Sequence, residues 1–206
     1  MLLNVKNLSV SRGGRLLLSG VNFDLPKGEM ILLKGPNGLG KTSLLRTLAG
    51  LQPSAGGEIN LDDDMAVYAG HADGVKAGLS VIENLQFWAD IFVSCERLEK
   101  ALTEFDLMVF KHRLAGRLSA GQKRRLGLAR LILSNRPLWL LDEPTVSLDE
   151  TSRNAFHKAL AAHCSVGGGA LMVSHTPMHV EGVSKSLHLG PYAAKGFVTK
   201  EVDAFL

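Results

Sequence analysis

The sequence predicts an α/β domain built on a mostly parallel sheet, and three observations carry that expectation. First, Gly35-Pro36-Asn37-Gly38-Leu39-Gly40-Lys41-Thr42 lies between a short apolar run, Met30-Ile31-Leu32-Leu33, and a helical pattern beginning at Ser43. A glycine loop of this spacing, entered from a strand and left through a helix, lets backbone N–H groups converge on a phosphate chain at a helix N-terminus. Second, Leu138-Trp139-Leu140-Leu141 and Ala170-Leu171-Met172-Val173 are unbroken apolar runs, the pattern of parallel strands buried on both faces. Third, the periodicity between Ser80 and Ser134 turns helical, so strands and helices alternate along the chain.

The elements follow in order. Residues 2–10 alternate between apolar and polar, and Leu16, Leu18, Val21, Phe23 and Leu25 repeat the pattern after the turn Arg12-Gly13-Gly14-Arg15, which predicts an antiparallel hairpin. Pro26-Lys27-Gly28-Glu29 turns into the strand before the glycine loop. Pro53 to Gly57 breaks the first helix, Glu58–Leu61 and Met65–Ala69 read as strands, and Asp62-Asp63-Asp64 reads as an acidic turn. Val81, Leu85, Trp88, Ile91 and Phe92 share one helical face. Leu98, Ala101, Leu102, Phe105 and Leu107 form a second amphipathic segment, and Leu126, Leu128, Ala129, Ile132 and Leu133 a third. A polar-faced helix is expected over 151–163, then a loop at Gly167-Gly168-Gly169. Short strands are expected around Leu187-His188-Leu189 and Gly196-Phe197-Val198-Thr199.

With 206 residues, 46% apolar and 21% charged, the chain has an ordinary globular balance, long enough for one domain with a sub-lobe. A net charge of +3 is too small to argue for nucleic acid, and none is expected as a partner. The clusters Lys123-Arg124-Arg125 and Lys111-His112-Arg113 read as solvated helix faces. Cys95 and Cys164 are far apart, which suggests reduced thiols rather than a disulfide or zinc site. No apolar run reaches the length of a membrane span, and the N-terminus lacks the pattern of a secretory signal.

Four sets of residues are candidates for chemistry. Gly35, Pro36, Asn37, Gly38, Leu39, Gly40, Lys41, Thr42 and Ser43 form the phosphate site; Lys41 can reach terminal phosphates, and the Thr42 hydroxyl can ligate Mg²⁺. Asp142, at the carboxyl end of a buried strand, is placed to hold Mg²⁺, and Glu143 to polarise an attacking water. Ser119-Ala120-Gly121-Gln122 opens a helix. Ser147-Leu148-Asp149 and Ser174-His175 follow the acidic strand and a second buried strand.

In this order the motifs resemble the ATP-binding cassette family over nearly the whole chain: Leu118 to Gln122 is similar to its LSGGQ signature, with Ala120 in place of a glycine. The resemblance implies a P-loop NTPase (RecA-like) core sheet, an N-terminal antiparallel β subdomain and an inserted helical subdomain. That organisation makes 1–206 one cassette, with 1–75 and 131–206 as core and about 76–130 as the helical part. It also implies an ATPase that uses ATP and Mg²⁺ and works as a head-to-tail homodimer. Ser119, Ala120, Gly121, Gln122 and Asp149 then act in trans on the partner's nucleotide, while Glu143, His175 and Lys41 serve catalysis.

Two departures from the family pattern stand out. Arg12 occupies the place of an adenine-stacking aromatic, and a guanidinium can also stack on a flat base. Gly70-His71 stands where a glutamine is usual, which makes His71 a weak metal candidate. Small size, Gly70-His71 and the first turn are similar to the cytochrome c maturation (haem exporter) branch of the family. That branch implies CcmB- and CcmC-like membrane subunits, a role in haem export or release of a haem-loaded chaperone, and a peripheral place on the cytoplasmic face of the inner membrane. A different ABC transporter, a soluble mechanical ABC ATPase and a non-hydrolysing adaptor remain alternatives.

Overall fold

The structure is a computed structural model that describes residues 1–174 and 184–194. The first hairpin is β1 (Leu3–Arg12) and β2 (Arg15–Leu25), turning through Gly13-Gly14, both at positive φ. β4 (Gly56–Asn60) pairs with the other edge of β1, giving a three-stranded antiparallel sheet in the order β2-β1-β4. The second sheet is parallel, in the order β5-β6-β7-β3-β8, from β3 (Met30–Lys34), β5 (Ala66–Ala69), β6 (Leu138–Asp142), β7 (Gly169–Val173) and β8 (Ser184–His188). The expected strand at 196–199 lies outside the described residues.

Burial explains why β6 is apolar from Leu138 to Leu141 and β7 from Ala170 to Val173. Leu138, Leu140, Leu171 and Val173 face the antiparallel sheet and helix α1 (Lys41–Leu48). Trp139, Leu141, Ala170 and Met172 face the opposite layer, which holds α2 (Val81–Phe92), α3 (Leu98–Glu104), α4 (Ala120–Ser134) and α5 (Glu150–Ser165). Two cores on one central sheet leave no polar face on its inner strands β6 and β7. The expected division at residue 130 falls inside α4.

Three expectations need correction. Leu16 is exposed and Leu17 is buried, because Val10 pairs with Leu18 and Ser11 with Leu16; Leu17 is an extra residue in a β-bulge and turns inward. On α2, Val81 and Leu85 are buried as expected, but Ile91 is 53% exposed. The helix ends at Phe92, which packs against the core, with Val93 in the left-handed region, and Ile91 lies at the edge of the buried stripe. Arg124 and Arg125 do not lie on a solvated face; both are buried. Arg125 donates to the carbonyls of Phe105 and Asp106 and to the Asp106 carboxylate, which offsets the cost of desolvating its charge.

Candidate functional site

The phosphate loop leaves β3 at Lys34 and enters α1 at Lys41, with Gly38 at φ 79° and Gly40, the residue capping α1, at φ 114°. A Cβ at Gly40 would stand 3.1 Å from Leu17 Cβ, so both conformation and space select glycine there. Leu39 is buried in the core between α1 and the antiparallel sheet, so its side chain anchors the loop and only its backbone is free to serve a ligand.

Lys41 is 8% exposed, and its Nζ donates to the carbonyls of Gly35 at 2.8 Å and Pro36 at 2.9 Å, clamping the loop across its own base. Burial holds the Lys41 ammonium below the usual lysine range, while the nearby Glu143 and then Asp142 carboxylates act in the other direction. Arg12, Leu17, Asn37, Gly38, Gly40, Lys41, Thr42, Ser43, Glu143 and Val173 line one cavity of about 290 Å³. Arg12 thus sits at the mouth of the phosphate loop although it precedes Gly35, the first residue of the loop, by 23 positions in sequence. Leu17 also lines this cavity, and sequence alternation missed it because only the bulge turns it inward.

Asp142, at the end of β6, is buried and accepts a hydrogen bond of 3.3 Å from the Tyr68 hydroxyl. Burial, then the Asp142 charge and this bond, push the Tyr68 hydroxyl up to about 12, so it remains a donor at neutral pH. Glu143 follows with φ 51°, a left-handed conformation that costs a non-glycine residue about 1–2 kcal/mol. Its N–H donates to the Val173 carbonyl at 2.9 Å, which extends the β6–β7 ladder one residue beyond the strand. The side chain of Glu143, unlike that of Asp142, lines the phosphate cavity.

The other candidates lie apart from this cavity. Ser119 caps α4: its hydroxyl accepts from Gln122 N at 3.2 Å, and Gln122 Oε1 accepts from Ser119 N at 2.9 Å. Ser119 and Ala120 are exposed, and Ser119, Ala120, Gly121, Gln122 and Asp149 do not line the cavity of their own chain. Asp149 caps α5, accepting 2.8 Å from Ser152 N, and hydrogen bonding from the Ser152 hydroxyl and N–H holds its carboxyl below the usual range. His71 is exposed and does not line the cavity either. His175 lies outside the described residues.

Tyr68 and Arg130 are site residues that the sequence did not single out. Arg130 donates to the Tyr68 carbonyl at 3.0 Å and lies over the Trp88 ring, 5.3 Å from its centroid, and so links α2 to the strand whose tyrosine touches Asp142. Gly70 follows this strand, where a Cβ would come within 2.8 Å of the Tyr68 ring.

A phosphate loop at the end of one parallel strand, with a buried aspartate and a cavity-facing glutamate at the end of another, defines a nucleoside triphosphatase site. A family profile described as ABC transporter matches residues 18–146, and the chain belongs to that family, as its ATP-hydrolysing cassette. The chain is 53% identical over 194 residues to the cytochrome c biogenesis ATP-binding export protein CcmA of Rhodobacter capsulatus, covering 94% of this chain and 90% of that protein. CcmA of Paracoccus denitrificans is 50% identical over 193 residues, with 94% and 91% covered. Among solved structures, an ABC transporter ATP-binding protein from Pyrococcus furiosus superimposes with a TM-score of 0.80 at 26% identity, covering 93% of this chain and 99% of that one.

Proposed function

We propose that this chain is the ATP-hydrolysing subunit of a membrane complex for cytochrome c maturation, acting in haem export or release of a haem-loaded chaperone. The observation that carries this reading is identity of 53% to a cytochrome c biogenesis export protein across 94% of the chain. The cassette is proposed to work at the cytoplasmic face of the inner membrane, beside CcmB- and CcmC-like subunits. Among the described residues, no helix is long and apolar enough to cross a membrane. The helical part, about 76–130 with α4 shared with the core, bears exposed Phe87, Ile91, Val93 and Val109, which supports docking through this lobe.

The residue roles follow from charge and geometry. The triphosphate lies on the phosphate loop, its terminal oxygens met by Lys41, the Thr42 and Ser43 region and the N-terminal dipole of α1. Arg12 stacks on the base. Thr42 and Asp142 would hold Mg²⁺: a hydroxyl lining the cavity and a buried carboxylate one residue before the cavity-lining Glu143 are the hard oxygen donors it prefers, and His71 is the weaker candidate. When bound, Mg²⁺ supplies neutralisation of the phosphate charge. Glu143 takes a proton from the attacking water, and His175 contacts the γ-phosphate. The exposed helix start at Ser119, Ala120, Gly121 and Gln122 faces the nucleotide of a second copy, and Asp149 couples the two copies. This arrangement explains why the signature helix lines no part of its own chain's cavity.

Affinity purification from detergent-solubilised membranes tests the assignment. Recovery of membrane subunits of the haem maturation system, together with loss of c-type cytochromes on deletion, is the expected result. A membrane partner unrelated to haem maturation would overturn it.

A further inference from the structure

Arg124 makes the densest polar junction on α4. It is 5% exposed, and its guanidinium spends four donors on backbone and side-chain oxygens of two loops. Nη2 donates to the Glu143 carbonyl at 2.8 Å and Nε to the Pro144 carbonyl at 3.0 Å. Nη1 donates to the Gly70 carbonyl at 2.9 Å and to Asp73 Oδ1 at 2.7 Å, and the Asp73 carboxylate neutralises the buried charge. A planar fork fits such an array; an ammonium on a flexible stem does not.

The packing around Arg124 is tight on both sides along the same face of α4. One turn before it, a Cβ at Gly121 would lie 3.0 Å from the Ser147 carbonyl. One turn after it, a Cβ at Gly127 would lie 2.7 Å from Asp73 Cβ. Residues 121, 124 and 127 therefore seat the start of α4 directly on the loops that leave β6 and β5. Glu143 gains a definite need for such support. Its φ of 51° is unfavourable for a side-chain-bearing residue, and its main chain is held from one side by Val173 and from the other by Arg124.

We infer that Arg124 is a positioning residue for hydrolysis: it fixes the backbone of Glu143 and ties that carboxylate to the helix that presents Ser119 to a second copy. The inference rests on the reading of Glu143 as the water-activating group. Arg124 does not line the phosphate cavity, so its contribution falls on the chemical step rather than on nucleotide binding. A movement of Ser119 against a partner's nucleotide is transmitted through one turn of α4 to the carbonyl of Glu143.

The test compares Arg124→Lys with Arg125→Lys in the full-length chain, measuring kcat and KM for ATP below the melting temperature of each. Arg125 is buried on the same helix, but its acceptors are Phe105 and Asp106 rather than Glu143 and Pro144. Arg124→Lys is expected to lower kcat about 10- to 100-fold with KM within about two-fold, the scale of a misplaced reacting group. Arg125→Lys is expected to lower the melting temperature and leave kcat within about two-fold. Should Arg124→Lys fail to fold, Asp73→Asn decides, with a fall in kcat of about three-fold or more at unchanged KM expected. An unchanged kcat in a folded Arg124→Lys or in Asp73→Asn, a rise in KM that matches the loss, or an equal loss in Arg125→Lys would overturn the inference. Absence of turnover in the wild-type chain would overturn the reading of the site as well.

Discussion

Replacing Glu143 by glutamine separates its chemistry from its unusual backbone. The change exchanges one carboxylate oxygen for an amide NH₂ and keeps the side-chain shape. The two main-chain bonds, to Val173 at 2.9 Å and from Arg124 at 2.8 Å, do not involve the side chain and survive. The left-handed φ of 51° is equally unfavourable for glutamine, so stability should move by less than about 1 kcal/mol. Loss of a general base costs about 10²- to 10⁴-fold in rate, or about 2.7–5.4 kcal/mol of barrier. Nucleotide binding should not weaken, because the loop amides and Lys41 are intact and one negative charge near Lys41 is gone. Glu143→Gly provides the control. It relieves about 1 kcal/mol of backbone strain but restores about 0.5–1 kcal/mol of chain entropy to the unfolded state, so it too should fold. If Glu143 serves only as a turn residue, glycine is the best substitute and turnover persists. If it activates water, both variants lose phosphate release while still binding ATP, and the glutamine variant accumulates ATP-bound dimers in light scattering. Turnover within about three-fold of wild type in either variant refutes the assignment.

Further predictions address the loop, the helical lobe and pH. Lys41→Ala removes a buried ammonium and its bonds to Gly35 and Pro36; equilibrium titration with ATP should show affinity lower by about 10- to 100-fold, and a change under three-fold would count against the phosphate role. Asn84→Ala deletes bonds to the Lys76 N–H at 2.8 Å and to the carbonyls of Lys76 at 3.0 Å, Leu79 at 3.3 Å and Ser80 at 2.9 Å. Urea unfolding should report a loss of about 3 kcal/mol, whereas under 1 kcal/mol would mean that water replaces these contacts. Burial holds the His163 imidazole below the usual histidine range, despite its bonds to Pro137 and Gly169, and it stacks on Trp139 with ring centroids 4.0 Å apart. A depressed folded-state value means that its stabilising contribution is present above about pH 6.5 and is lost as pH falls through the folded value, since the unfolded chain takes up the proton first. His157 is shifted the same way, so His163→Phe should shrink, not abolish, the drop in melting temperature between pH 7.5 and 5. An undiminished drop would show that His163 does not titrate on unfolding.

Much of this protein is legible locally. The glycine loop, its strand and its helix are contiguous, and the φ of Gly40 and the cap at Ser119 depend on a few neighbouring residues. The unbroken apolar runs at 138–141 and 170–173 declare strands covered on both faces, and the two cores meet that requirement. Order of motifs along the chain was enough to indicate the ABC family before any contact was known.

Tertiary structure decided what depends on residues far apart in sequence. Lys123-Arg124-Arg125 reads as a solvated patch because charge alone suggests exposure; only the arrival of Asp73, 51 residues away, makes burial of Arg124 tolerable. Leu17 reads as outward-facing by alternation until a bulge adds one residue to its strand and turns it onto Gly40. Tyr68 acquires a partner only when β5 and β6 align and bring Asp142, 74 residues on, within reach of its hydroxyl. Propensity and spacing act over a few residues, whereas the pairing of buried charges is set by which surfaces the packed layers bring face to face.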